Sequence, residues 1–225
     1  RNFNSIWMDI FAPDISHADN GKTVNKKNNV KVNANKAGLD DLSELGRGIL
    51  YDDSENTCLT NQGLSIAFSR IKDILGKKID LVGMDACLMS MVEVAYEIKD
   101  YADVLVASQE TEPGYGWDYT GIMAQLVSNP VWYTSSNLAQ LIVASYGFYY
   151  ASTDMQGYTQ SAINLNRIDQ LCANIESVAV GVLECKEYNS TSIKKALRTA
   201  RLSSKSFETA SYIDLYSFYS ELHKE

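Results

Sequence analysis

The spacing of apolar residues divides the chain near residue 47. Ser16 to Lys36 is dominated by Asn and Lys and shows no apolar period. Residues 16–46 therefore read as a long exposed loop or insertion, a kind of segment that in compact domains is usually functional or disordered. From Arg47 the pattern becomes orderly. Gly48 to Tyr51 reads as a short strand, with a turn at Asp52-Asp53-Ser54. Thr60 is placed to N-cap a helix whose apolar face is Leu64, Ile66, Ala67, Ile71, Ile74 and Leu75, with Gly76 as its stop. Ile79 to Met84 is an apolar run of buried-strand length. A helix then opens near Ser90 and runs through Met91, Val94, Ala95 and Ile98 to about Asp100. Val104 to Ala107 is a second unalternating run, as buried parallel strands tend to be. Strand, helix and strand at this spacing predict a right-handed βαβ unit.

Beyond it, residues 108–121 form a loop at the carboxyl end of the second strand. Residues 119–126 and 137–150 read as helices, Ser161 to Leu165 as a strand, and 167–186, 190–201 and 211–222 as further helices. The length of 225 residues suits one α/β domain over 1–225.

Composition narrows the function classes. The apolar share of 45% and charged share of 21% are those of an ordinary globular protein. A net charge of −8 argues against a nucleic-acid partner, because no basic face would neutralise phosphates. No apolar run approaches the roughly 18 to 20 residues of a membrane span. The chain begins with Arg1 rather than Met and shows no signal peptide, so a processed, excised or incompletely recovered N-terminus is expected. Cys58, Cys87, Cys172 and Cys185 have no CxxC or zinc-type spacing, and His17 and His223 are the only histidines. A His/Cys metal site is not expected, and a disulfide among the cysteines other than Cys87 stays open.

The chemistry concentrates in Asp85-Ala86-Cys87. In an open α/β sheet, residues past the carboxyl end of a central strand face the crevice where ligands bind. With strand side chains alternating by two, Asp85 and Cys87 are expected at one mouth: a nucleophilic thiol beside a fixed negative charge. The plainer readings are a packed thiol at a strand end and an acidic residue at a helix N-terminus.

The segment Asp85-Ala86-Cys87-Leu88-Met89 resembles the catalytic-cysteine motif of the clostripain family of cysteine peptidases, which share the caspase-like fold with gingipains and legumains. The similarity continues in order through Val92 to Glu97, Tyr101 to Asp103, Val106 to Trp117 and Tyr212 to Tyr216. It implies a three-layer α-β-α sandwich around a mostly parallel sheet. By the same resemblance Cys87 is the nucleophile, activated by an imidazole. Asp85 is the floor of an S1 pocket for a P1 Arg or Lys. Glu110, Glu112 and Asp118 are candidates for added negative charge, and the backbone amides of Gly83 and Cys87 for the oxyanion hole.

The sequence departs from that family where the base should be. The His-Gly pair is not found. Either Asn4-Ser5-Ile6-Trp7 aligns with the residues after the His, placing Phe3 at the base, or His17 serves, although Pro13 interrupts the strand leading to it. The strands that precede the His are not evident either. The expectation is an N-terminal fragment of the same precursor as partner, with self-cleavage falling in the Lys-rich insertion, for example at Lys36-Ala37. The resemblance also implies secretion or a cell-surface address. No cofactor is expected; calcium occurs in some relatives, but no carboxylate cluster here assigns it. Two functions follow: an endopeptidase cleaving after Arg or Lys, or an inactive pseudopeptidase that keeps the fold as a binding protein. A flavodoxin-like module is disfavoured, since no Gly-rich phosphate loop is present.

Overall fold

The structure is a computed structural model that describes residues 49–52, 54, 57–185, 191–208 and 210–224. These fall into two compact units divided between Asp169 and Gln170. The first unit opens with an antiparallel pair, β1 (Ile49–Asp52) and β2 (Thr57–Leu59), with Ile49 opposite Leu59. Three residues are too few to show an apolar period, so β2 leaves no trace in the pattern of the sequence.

Helix α1 (Asn61–Leu75) begins and ends as its sequence predicts. The Thr60 hydroxyl accepts from the Gly63 N–H at 3.1 Å, and Gly76, at φ 68°, donates its N–H to the Lys72 carbonyl. Its expected apolar face is another matter. Leu64 is buried, while Ile66, Ile71, Ile74 and Leu75 are all exposed, Ile74 by 84%.

The sheet that positions the site has the order β3–β4–β5. β3 (Val82–Gly83) runs parallel to β4 (Val104–Ala107), with Val82 opposite Leu105 and Gly83 opposite Val106. The pairing reaches beyond the two regular residues of β3. Ile79 bridges Ala102, and the Met84 N–H donates to the Val106 carbonyl, so the apolar run 79–84 follows β4 along its length. β5 (Ser161–Asn164) is antiparallel to β4. The predicted βαβ unit is closed by α2 (Val92–Ile98), which buries Val94, Ala95 and Ile98.

That helix starts two residues later than expected from Ser90. The Ser90 N–H donates to the Ser108 carbonyl, and its hydroxyl lies 2.6 Å from that of Ser161, so Ser90 is tied to the sheet and does not cap the helix. All four residues of β4 are buried. Val104 and Val106 meet a layer made by Trp117 and by helices α3 (Tyr119–Ser128) and α4 (Ser135–Ala151), through Ile122, Ile142, Tyr146 and Tyr150. Burying a side chain of this kind contributes about 1.5–3 kcal/mol, and this layer fixes the loop between β4 and α3.

A 3-10 turn at Leu165–Arg167 leads into α5 (Ile168–Glu184), most of which lies in the second unit. There α6 (Thr191–Ser203) packs on α7 (Leu215–Leu222), joined by a bridge between Ser206 and Ile213 and capped at α7 by Asp214. Among the described residues, no helix is long and apolar enough to cross a membrane.

Candidate active site

β3 ends at Gly83, so Asp85 and Cys87 lie beyond it and not in it. Their shared mouth is made by a turn and not by strand alternation. Leu88 adopts φ 61°, a left-handed conformation uncommon for a branched side chain, and reverses the chain immediately after the cysteine. The turn wraps around the carboxyl end of β4. The Leu88 N–H donates to the Glu110 carbonyl, and the Glu112 N–H donates to Cys87 Sγ at 3.2 Å. Cys87 is exposed and lines a cleft of about 400 Å³ formed between residues 85–87 and 112–116. None of the four cysteines is in a disulfide; Cys172 is buried and Cys58 partly so.

The far wall of the cleft is held by two backbone demands and one buried phenol. Gly116 has φ 65°, and a Cβ there would sit 2.7 Å from Asp85 Oδ2, so both conformation and space require glycine. Asp85 Oδ2 accepts from the Trp117 N–H at 3.2 Å and from the Tyr119 hydroxyl at 3.0 Å. The Tyr150 hydroxyl, at the floor of the core, donates to the carbonyls of Gly116 and Pro113. Ser108 and Thr159 hydroxyls accept from the Glu110 N–H and pin the start of the same loop.

Among the residues singled out from sequence, Asp85, Cys87 and Glu112 come together in this cleft. Glu112 Oε2 accepts from Trp117 Nε1 at 3.1 Å. Its carboxyl is pushed up to about 8, by burial first and then by the neighbouring Asp85 charge. Glu110 turns its carboxylate to the Thr111 N–H and does not line the cleft. Asp118 does not line it either: its Oδ1 accepts from the Gly121 N–H at 2.9 Å as the N-cap of α3, and Oδ2 meets the Ser145 hydroxyl.

Gly83 lies in the strand against the Trp117 ring, whose atoms would meet an added Cβ at 2.9 Å; its smallness serves that packing. His17 and Phe3 lie outside the described residues. Tyr119 and Tyr150 hold the site but were not singled out by the sequence; their only advance sign was position in or after the 108–121 loop.

The capping role of Asp118 gives a clean expectation. Asp118→Asn keeps an N-cap acceptor and leaves stability unchanged within error, whereas Asp118→Ala costs about 1 kcal/mol in urea denaturation.

A sheet of this order, with an accessible thiol and a carboxylate just past the end of β3, belongs to a caspase-like fold. The clostripain family model matches residues 15–224, and the chain belongs to the clostripain family. Clostripain from Hathewaya histolytica is 36% identical over 89 residues, an alignment covering 36% of this chain and 17% of that protein. The chain thus spans under a fifth of the curated relative it matches. A crystal structure of a clostripain from Bacteroides thetaiotaomicron, in complex with a peptide inhibitor, superposes with a TM-score of 0.51 at 18% identity, covering 77% of this chain and 68% of that one. A B. fragilis cysteine protease gives a TM-score of 0.44 at 19% identity, covering 71% and 57%. At 18% identity, the likeness to the first of these structures is one of fold.

Proposed function

We propose that the chain is the cysteine-bearing part of a single peptidase-like domain that cleaves peptides after Arg or Lys. The observation that carries this reading is the exposed Cys87 thiol at the lip of a cleft whose wall is the Asp85 carboxylate. Cys87 Sγ attacks the scissile carbonyl, the amine leaves with a proton from an imidazole, and water then hydrolyses the thioester. Asp85 receives the P1 cation. Its Oδ2 already accepts from the Trp117 N–H and the Tyr119 hydroxyl, and these two contacts fix the carboxylate in the cleft. The Glu112 N–H donates to the sulfur and holds it at the lip of the cleft.

Neither histidine falls in the unit of residues 34–169 that holds Cys87. The imidazole of this reading is His17 or one carried by an N-terminal companion of the same precursor. Self-cleavage in the Lys-rich segment and export from the cell belong to the same reading and rest on the family resemblance.

The lack of a histidine in that unit's sequence also favours one second reading: a pseudopeptidase that binds basic peptides without turnover. Hydrolysis of fluorogenic peptides ending in Lys or Arg, against matched peptides ending in Ala or Glu, tests the choice. Release from the basic peptides alone supports the peptidase. Saturable binding without release supports the pseudopeptidase.

A further inference from the structure

The two carboxyl groups of the cleft do not act alike. Glu112 Oε2 is taken by the Trp117 indole, while Oε1 is buried and meets no N–H or O–H donor. The Asp85 carboxylate lines the same cleft, within side-chain hydrogen-bond reach of the Glu112 carboxyl. Two acceptors can share such a contact only when one of them carries a proton. Asp85 is exposed and already accepts from Trp117 and Tyr119, whereas Glu112 is half-buried with Oε1 shut off from solvent; Glu112 is the partner that holds the proton.

Among the described residues, the groups acting on Glu112 and its neighbours include no cation to relieve this. Asp85 and Cys87 come from the turn after β3, Tyr119 from α3, and Tyr146 and Tyr150 from α4. Tyr146 is an independent sign of the same shortage. The residue is 1% exposed, its hydroxyl has no partner among the described residues, and burial above all keeps it protonated.

We propose that Glu112 is a second specificity-determining carboxyl: it holds a proton against Asp85 while the cleft is empty and releases it to solvent when a cationic side chain enters. The cation then replaces the proton between Glu112 Oε1 and Asp85, and the pair becomes a doubly charged receptor. This rests on the basic-P1 reading of the cleft and goes beyond it. A neutral or acidic side chain cannot drive the release, so discrimination for a cation is built from proton exchange as well as from attraction to Asp85.

The sign follows from the exchange. Below the titration point of the empty cleft, each binding event must expel one proton, so affinity rises with pH. Above that point the proton is already gone and affinity levels off. The probe is N-acetyl-arginine amide, titrated into Cys87→Ala protein to prevent turnover. Its apparent Kd is expected to fall by up to about tenfold per pH unit between about pH 6 and pH 8, then flatten. Calorimetry in buffers of different ionisation enthalpy should count about one proton released near pH 7. With Glu112→Gln added, the released proton and the slope are lost, and the two proteins converge at low pH. Binding with no proton release, or a slope that survives Glu112→Gln, overturns the proposal.

A ligand-free readout separates this from failure of the basic-P1 reading. In carbon-13 spectra, the carboxyl resonance lost in Glu112→Gln should titrate near 8 in the empty protein. Titration in the ordinary carboxylate range overturns proton sharing whatever binds. High titration with no binding of the probe at any pH overturns the exchange and the basic-P1 reading together, leaving only the carboxyl pair.

Discussion

Replacing Cys87 with alanine is expected to reduce turnover of basic reporter peptides by at least about 10⁴-fold, with little change in their binding. The size follows from the chemistry, because without the sulfur no acyl-enzyme forms and only positioning remains. The exposed thiol makes few packing contacts, so the fold should be retained, and a thermal melt within error of the parent would confirm that the loss is chemical. Cys172→Ala is the contrasting case. That thiol is buried, and its removal should lower stability while leaving turnover per folded molecule unchanged.

The second large effect belongs to Asp85. Asp85→Asn preserves acceptors for the Trp117 N–H and the Tyr119 hydroxyl, so the loop from 112 to 119 keeps its anchor. What disappears is the charge. Losing one partner of a desolvated ion pair costs about 2–5 kcal/mol, or roughly 30- to several-thousand-fold in kcat/KM for Arg and Lys substrates. Asp85→Ala removes charge and anchor together and should be worse, with a component that also affects peptides lacking a basic residue. Steady-state kinetics on paired basic and neutral peptides separates the two contributions.

How much of this could be read from the chain depended on distance along it. Thr60 and Gly76 bound α1 through contacts three and four residues away, and such signals are local. The apolar runs 79–84 and 104–107 were legible for the same reason. Asp85 and Cys87 stood out because a family motif carries them, although their common mouth comes from the turn at Leu88 and not from strand alternation. The exposed isoleucines of α1 show the limit of a periodic pattern: it marks a face able to be buried, not what lies over it.

The pairing of Glu112 with Asp85 joins residues 27 apart (112 − 85), and no local rule distinguishes Glu112 from Glu110 or Asp118 beforehand. Which of three acids in one loop enters the cleft is decided by a hydrogen bond from Trp117, a peptide turn at Gly116 and the Tyr150 hydroxyl beneath them. Those are tertiary facts. Asp118, equally acidic, is drawn instead to the start of α3, where a carboxylate satisfies a free backbone N–H.

The proposed function stands or falls on whether Cys87 reacts with a basic peptide bound in its own cleft. Incubating the chain with an arginyl chloromethylketone, followed by digestion and mass mapping, measures this directly. The expected result is one label, on Cys87, outcompeted by N-acetyl-arginine amide and strongly slowed in Asp85→Asn. Label falling on Cys185, which is also exposed, or reaching Cys87 at a rate indifferent to Asp85 and to competitor, would contradict it.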